Sequence, residues 1–440
     1  MPVRREQKGS GIITCKKKIM KILMVNKFLY PRGGAETYVM DLGKEMERQG
    51  HTVEYFGMYD PKNVVGNSCG LNVDAVDFHK MSVDVLSYPK RVIWSEDAYW
   101  KIIEVIHEFK PDVVHLNNFN YQLTPSVIDA CQHEHVPVVF TAHDSQLVCP
   151  NHLLYDAKHN TICTKCVDTH DPIHCLKTGC IHGSYLKSYL GYVEGKRYKT
   201  FGTYKYISCI VCPSEFMKNI YDTDDRFKKK TVVLQNYVKP LEFETEEEKK
   251  KIQEKLTYPM ISGKKDVTEE DYIFYFGRLS PEKGFFNILE AAEQLPTERF
   301  VLAGSIEHEY QKYLDRASIN VTHVGFKKGA ELKQLIANAK MVILPSTCYE
   351  NCPLAVIEAQ QLGVPVVAPG YGGSKELTDE RYQIKDTSVD SLAQAILRAE
   401  NHLEEMKTDS STRAKQYLSL EKYAEKMIGI YEKTIAKKER

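Results

Sequence analysis

Lys21-Ile-Leu-Met-Val25 is a short apolar run that ends in a polar loop closing on Gly33-Gly34. Residues 35–49 follow with Tyr38, Val39, Leu42 and Met46 at helical spacing, and Gly50 supplies the stop. His51-Thr-Val-Glu-Tyr-Phe56 is the next strand-like run. Strand, loop, helix, strand is how a parallel α/β sheet opens, because a parallel neighbour needs a long crossover and a helix usually supplies it. Further strand patterns stand at 113–116, 136–141 and 207–212, with helical stretches such as 99–109 and 125–134 between them.

The pattern then restarts. Residues 232–235 read as a strand leading into Asn236, 242–255 as a charged helix or linker, and 262–271 as a polar loop. Strand patterns at 272–276, 299–303, 321–324, 341–344 and 364–368 alternate with helical ones, and helices at 389–402 and 420–437 close the chain. The expected fold is α/β, with two doubly wound Rossmann-like domains over 20–235 and 236–410. Residues 1–19 form a basic extension and 411–440 a closing helical segment. Two such domains in tandem leave a cleft between the carboxyl ends of two parallel sheets, where ligands bind in this architecture.

Composition narrows the function. A chain of 440 residues suits two cores rather than one. Lys plus Arg equals Asp plus Glu at 59 each, and this balance argues against a nucleic-acid binder, which carries a basic excess. No apolar run is long enough to span a bilayer, and no apolar segment follows the early charges as a signal peptide requires. The expectation is a cytoplasmic protein. Arg4, Arg5, Lys8, Lys16, Lys17 and Lys18 mark the first residues as a polar tail, as a stretch upstream of a usual start at Met20, or as a membrane-touching arm.

Glu350-Asn-Cys-Pro-Leu-Ala-Val-Ile-Glu358 carries the sharpest chemical signal. It follows the strand pattern at 341–344, and Pro353 suits the first turn of a helix. Glu350 therefore falls in a loop at the cleft and Glu358 on the helix. The N–H groups at that helix start, around Leu354 and Ala355, make a phosphate site, and Glu358 can accept hydrogen bonds from ribose hydroxyls. Gly277-Arg-Leu-Ser-Pro-Glu-Lys283-Gly284 follows another strand, and Arg278 and Lys283 place two cations beside a departing diphosphate. Pro31-Arg-Gly-Gly-Ala-Glu36 offers the backbone of Gly33 and Gly34 to phosphate, without the spacing of a dinucleotide fingerprint. Phe140-Thr-Ala-His-Asp144 ends a buried strand with a His143–Asp144 pair facing the cleft. Singly, each segment also fits a bland role: solvated helix surface, a tight turn, a core histidine. Together, each follows a strand and falls at a carboxyl end.

In this order the four segments resemble glycosyltransferase family 4, from Met20 to about Tyr431. The resemblance implies the GT-B fold, an activated nucleotide donor, retention of anomeric configuration and no metal required for catalysis. It assigns the first domain to the acceptor and the second to the nucleotide-sugar. It implies that Glu350 contacts the donor sugar, Glu358 the ribose, and Arg278 and Lys283 the diphosphate. Gly34, Leu354 and Ala355 lie against phosphate, and His143 lies by donor sugar and acceptor. The last helix of the fold crosses back onto the first domain. Asn351-Cys-Pro353 departs from the glycine-rich run common there. A UDP-sugar donor, and a saccharide or lipid-linked saccharide acceptor in surface polysaccharide or glycolipid assembly, are the expectation. A UDP-sugar hydrolase or epimerase and a non-catalytic binding subunit are the rivals; the latter would be expected to lose Arg278, Lys283 or Glu350.

Two segments stand apart. Cys149, Cys163, Cys166, Cys175 and Cys180 crowd into a polar insert over 149–182, and the C-x2-C spacing is that of metal ligands. A structural zinc on Cys163, Cys166, Cys175 and Cys180, with Cys149 as alternative, competes with reduced thiols and with disulfides. Residues 185–206 mix Lys187, Lys196, Arg197, Lys199 and Lys205 with Leu186, Tyr189, Tyr192, Tyr198 and Phe201. They read as a helix with one face in the core, or as a peripheral contact with the inner face of a membrane.

Overall fold

β1 (Lys21–Val25) lies between two parallel neighbours, β2 (Thr52–Phe56) and β3 (Val113–Leu116), in a computed structural model that describes residues 19–74, 93–239 and 272–438. The chain continues through β4 (Val138–Thr141), a small antiparallel hairpin of β5 (Tyr155–Asp156) and β6 (Thr161–Ile162), then β7 (Cys209–Cys212) and β8 (Thr231–Val233). The first sheet runs β2-β1-β3-β4-β7-β8, all parallel. β9 (Ile273–Phe276), β10 (Phe300–Ala303), β11 (Val321–His323), β12 (Met341–Ile343) and β13 (Val366–Val367) form a second parallel sheet in the order β11-β10-β9-β12-β13. This is the doubly wound pair expected. The segments expected at 242–255 and 262–271, and residues 1–18 of the extension, fall outside the described residues.

Burial on both faces explains the largely apolar strands: every residue of β3, β4, β10, β12 and β13 is buried, and His115 in β3 and Thr141 in β4 are hydrogen-bonded to each other. Two strand starts differ from the sequence pattern for one reason. Pro137 and Pro365 carry no N–H to give a ladder, so β4 opens at Val138 and β13 at Val366. Serine hydroxyls cap several of the helices between strands, as Ser95 does for Ala98 N and Ser214 for Met217 N.

The final helix, Leu420–Lys438, packs on the first domain. Its Tyr423, Ala424, Met427, Ile428 and Tyr431 share a core with Met24, Tyr38, Leu42 and Met46. A chain of hydrogen bonds runs inside that core: Tyr423 Oη to Tyr38 Oη (2.8 Å), Tyr38 Oη to Thr141 Oγ1 (3.2 Å), Thr141 Oγ1 to His115 Nε2 (2.7 Å), and His115 Nδ1 to Tyr431 Oη (2.6 Å). Burial, helped by His143, pushes His115 down to about 3, so its ring is neutral.

The helix Tyr185–Phe201 inverts the expectation of an apolar inner face. Its buried residues are Ser188, Gly191, Glu194 and Tyr198, while Tyr185, Leu186, Tyr189 and Phe201 are exposed. Small residues let it dock closely on the cysteine insert: a Cβ added at Gly191 would lie 2.6 Å from Ile181 Cδ1. Glu194 is buried there, its Oε1 has no hydrogen-bond partner, and burial pushes it up to about 8. A carboxyl that titrates higher folded than unfolded stabilises fully below the unfolded value near 4.5, and that stability is lost as pH rises toward 8. Glu194→Gln should therefore raise Tm at pH 8 and much less at pH 5. Equal shifts at both pH values would contradict a carboxyl held protonated by burial.

Candidate active site

Two helix starts face each other across the cleft. The helix Gly34–Arg48 begins after β1 with Gly33 in the capping position, and the helix Leu354–Gln361 begins after β12 with Pro353 there. Neither start has a side-chain cap. A Cβ added at Gly34 would stand 3.6 Å from Leu354 Cδ1. Two uncapped helix starts, each with backbone N–H groups at the positive end of a helix dipole, thus lie close together, an arrangement that suits an anion.

The charges sit beside it. Lys283 Nζ donates to Glu350 Oε1 at 2.6 Å, and Ser346 Oγ donates to the same oxygen. Burial would raise Glu350, but Lys283 and Ser346 hold it below the usual carboxylate range. Burial would likewise lower Lys283, and Glu350 outweighs it and holds the ammonium above its usual value. Arg278 is half-exposed and pairs with Glu282 at 2.6 Å. Glu358 lies one turn into the helix that Leu354 opens. It is open to solvent yet crowded by protein, and that crowding pushes its carboxyl up to about 7 against the pull of Lys239 and Lys333.

Close backbone approach sets these loops. Gly284 has φ +78°, and a Cβ there would fall 2.0 Å from Pro345 O, so the turn after Lys283 can lie against the strand end before Ser346. Gly373 N donates to Glu350 O at 2.7 Å, and a Cβ at Gly373 would fall 1.5 Å from Asn351 O. Tyr371 Oη donates to Ser346 O at 2.8 Å.

On the first domain His143 follows β4. It bonds Asn117 rather than Asp144: His143 Nε2–H donates to Asn117 Oδ1 at 2.8 Å, since Asn117 Nδ2 is turned to His115 O. Burial pushes His143 down to about 4, so the ring is neutral with Nδ1 as its acceptor. Asp144 instead accepts from Gln146 N at 2.9 Å and lies 4.0 Å from His152 Nδ1. Burial pushes it up to about 6, with Lys27 opposing. The expected His143–Asp144 pair is thus two separate groups, because the turn after β4 sends the neighbouring side chains to different partners.

Residues 32–240 match the family model for Glycosyltransferase Family 4, and residues 261–417 match that for Glycosyl transferases group 1. The chain belongs to the family 4 glycosyltransferases. An uncharacterized glycosyltransferase of Methanocaldococcus jannaschii is 24% identical over 375 residues, which cover 81% of this chain and 82% of that one. O-antigen chain mannosyltransferase B of Escherichia coli is 26% identical over 141 residues, 30% of this chain and 37% of its own length. The solved Anabaena HepE in complex with UDP-glucose superposes with a TM-score of 0.61 at 17% identity, covering 94% of this chain and all of that one. The GT-B fold follows.

Several residues of this glycosyltransferase's site escaped the sequence reading. Asn351, noted there only as a departure from the glycine-rich run, ties the domains together: Ser214 Oγ donates to its Oδ1 (2.8 Å) and its Nδ2 donates to Ala142 O (2.5 Å). Asn117, Ser346 and Tyr371 hold His143 and Glu350 in place. The signal available for the last loop was Gly372-Gly373 after a strand, the arrangement seen at Gly33-Gly34. Gly373→Ala should displace the Glu350 loop and cut turnover by about 100-fold, the scale of a misplacement near 1 Å. Gly66→Ala, where an added Cβ meets nothing within 4 Å, should leave it unchanged. Initial rates of the two folded variants check this, and equal rates would contradict it.

Proposed function

We propose that this glycosyltransferase moves a sugar, with retention of anomeric configuration, from a UDP-sugar to a saccharide or lipid-linked saccharide acceptor in surface polysaccharide or glycolipid synthesis. The observation that carries the reading is the Lys283–Glu350 pair beside two uncapped helix starts. A nucleoside diphosphate placed there meets backbone N–H groups at 33–34 and 354–355. Lys283 and Arg278 then balance the charge that grows as the bond from the sugar's anomeric carbon to the phosphate oxygen breaks. Glu350, its pairing with Lys283 shared with phosphate, accepts from a donor-sugar hydroxyl. Glu358 accepts from the ribose. The acceptor hydroxyl bonds the anomeric carbon on the face the phosphate leaves, and its proton passes to the departing phosphate oxygen. Neutral His143 lines the donor sugar without taking that proton.

HepE's complex with UDP-glucose supports the choice of UDP, and the O-antigen mannosyltransferase supports a polysaccharide acceptor. No helix among the described residues is long and apolar enough to cross a membrane. Peripheral contact with a membrane's inner face falls to exposed Tyr185, Leu186, Tyr189 and Phe201, beside exposed Lys187, Lys196 and Lys199.

A thermal-shift screen against UDP-, GDP- and ADP-sugars tests the reading, since a nucleotide that binds the folded state raises Tm by mass action. The largest shift should come from a UDP-sugar, and no shift with any of them would remove the cleft from nucleotide binding. Lys283→Ala and Arg278→Ala should each cut turnover by roughly 100- to 1,000-fold in a folded protein. Near-normal turnover would contradict their leaving-group role.

A further inference from the structure

We propose that the cysteine insert is a metal site: one structural zinc ion held by Cys163, Cys166, Cys175 and Cys180. The inference does not rest on the reaction proposed above. The five cysteines of the insert line one small cavity together with Leu154, Tyr155, Thr164, Val167 and Thr178. Its volume is about 10 Å³, roughly the room for one water-sized sphere. All five are free cysteines.

The local backbone arranges them as two arms. Cys163 follows directly on β6, with its N–H on Leu154 O at 2.8 Å, and Cys166 sits in the short helix Lys165–Asp168 that begins at once. That turn places two sulfurs three residues apart on the same cavity. The second arm is Cys175, on the helix Ile173–Thr178, and Cys180. Gly179 ends that helix in the left-handed conformation, φ +67°, and folds Cys180 back so that its Sγ lies 3.0 Å from Cys175 Sγ. C-x2-C from one arm and C-x4-C from the other supply the four thiolates of a closed tetrahedral site.

The lobe's own core is small, although the helix Tyr185–Phe201 packs on one side of it and Phe216, Ile220 and Tyr349 on another. Its local core is Cys166, Cys175, Cys180 and Ile181, three cysteines of four, between two-residue strands and helices of four and six residues. So small a core is the setting in which a cross-link or a metal adds most to a lobe's stability. Among the described residues no group of three or more His, Cys, Asp or Glu side chains is placed so that it could hold a metal ion as it stands, so zinc binding requires the cysteine side chains to rearrange. Zinc would set four sulfurs at about 2.3 Å from the ion, with Cys175 Sγ and Cys180 Sγ farther apart than their present 3.0 Å. Cys149 is the fifth sulfur and has another role. It packs with Leu154 and Val167 against Phe216, Ile220 and Tyr349. Through Tyr349 the lobe touches the residue before Glu350, so a zinc-ordered lobe braces the Glu350 loop. Four sulfurs leave the ion no open position, and its part is structural.

Metal analysis of the full chain, purified under reducing conditions, should find about one zinc per chain. Cobalt exchanged for zinc should give the thiolate-to-metal charge-transfer absorption of a four-sulfur tetrahedral site, which counts ligands in the wild-type chain. Cys163→Ser and Cys175→Ser should lose the metal, and Cys149→Ser should keep it. Protein without zinc whose five thiols all alkylate freely would overturn the proposal. So would thiols that alkylate only after a reductant is added, since these are disulfides. Loss of zinc in Cys149→Ser with retention in Cys163→Ser would overturn the assigned ligand set.

Discussion

The ion pair between Lys283 and Glu350 is the constraint around which the cleft is built. Two opposite charges withdrawn from water stabilise each other only if geometry and further hydrogen bonds are good, and either one left alone is costly. Ser346 supplies the added bond to Glu350. The close approach of Gly284 to Pro345 brings the Lys283 turn against the Ser346 strand end, and Gly373 does the same for the Glu350 loop. In the function proposed above, a diphosphate entering beside this pair would find a cation already oriented and a carboxylate ready for a sugar hydroxyl. Little reorganisation is left for the reaction step.

The same loop also joins the domains. Asn351 bonds Ser214 and the Ala142 carbonyl of the first domain. Glu376 of the second domain accepts from Glu215 N and Phe216 N, capping a first-domain helix from across the cleft. The final helix adds a buried contact through Tyr423 and Tyr431, whose hydroxyls end a polar chain that passes through Thr141, two residues before His143. Groups from both domains are thus held together by hydrogen bonds at several places.

Most of the fold was legible because strands buried on both faces are largely apolar, as 300–303 is throughout. The loops that carry Gly33-Gly34, Lys283 and Glu350 were legible as strand-end loops because each follows such a strand. Partners set by tertiary approach were not. Nothing near His143 in the chain marks Asn117, 26 residues away, as its partner in place of Asp144. The inward face of the helix Tyr185–Phe201 was not legible for a related reason: it packs by small residues against an insert, so Tyr185, Tyr189 and Phe201 turn outward while Tyr198 is buried.

The central claim is that a diphosphate sits between the two helix starts and engages Lys283. A crystal structure of the full chain with a nucleoside diphosphate tests this most directly. The account predicts phosphate oxygens on the N–H groups at 33–34 and 354–355, with Lys283 Nζ bonded to phosphate. A nucleotide bound elsewhere, with Lys283 paired to Glu350 alone, would contradict it.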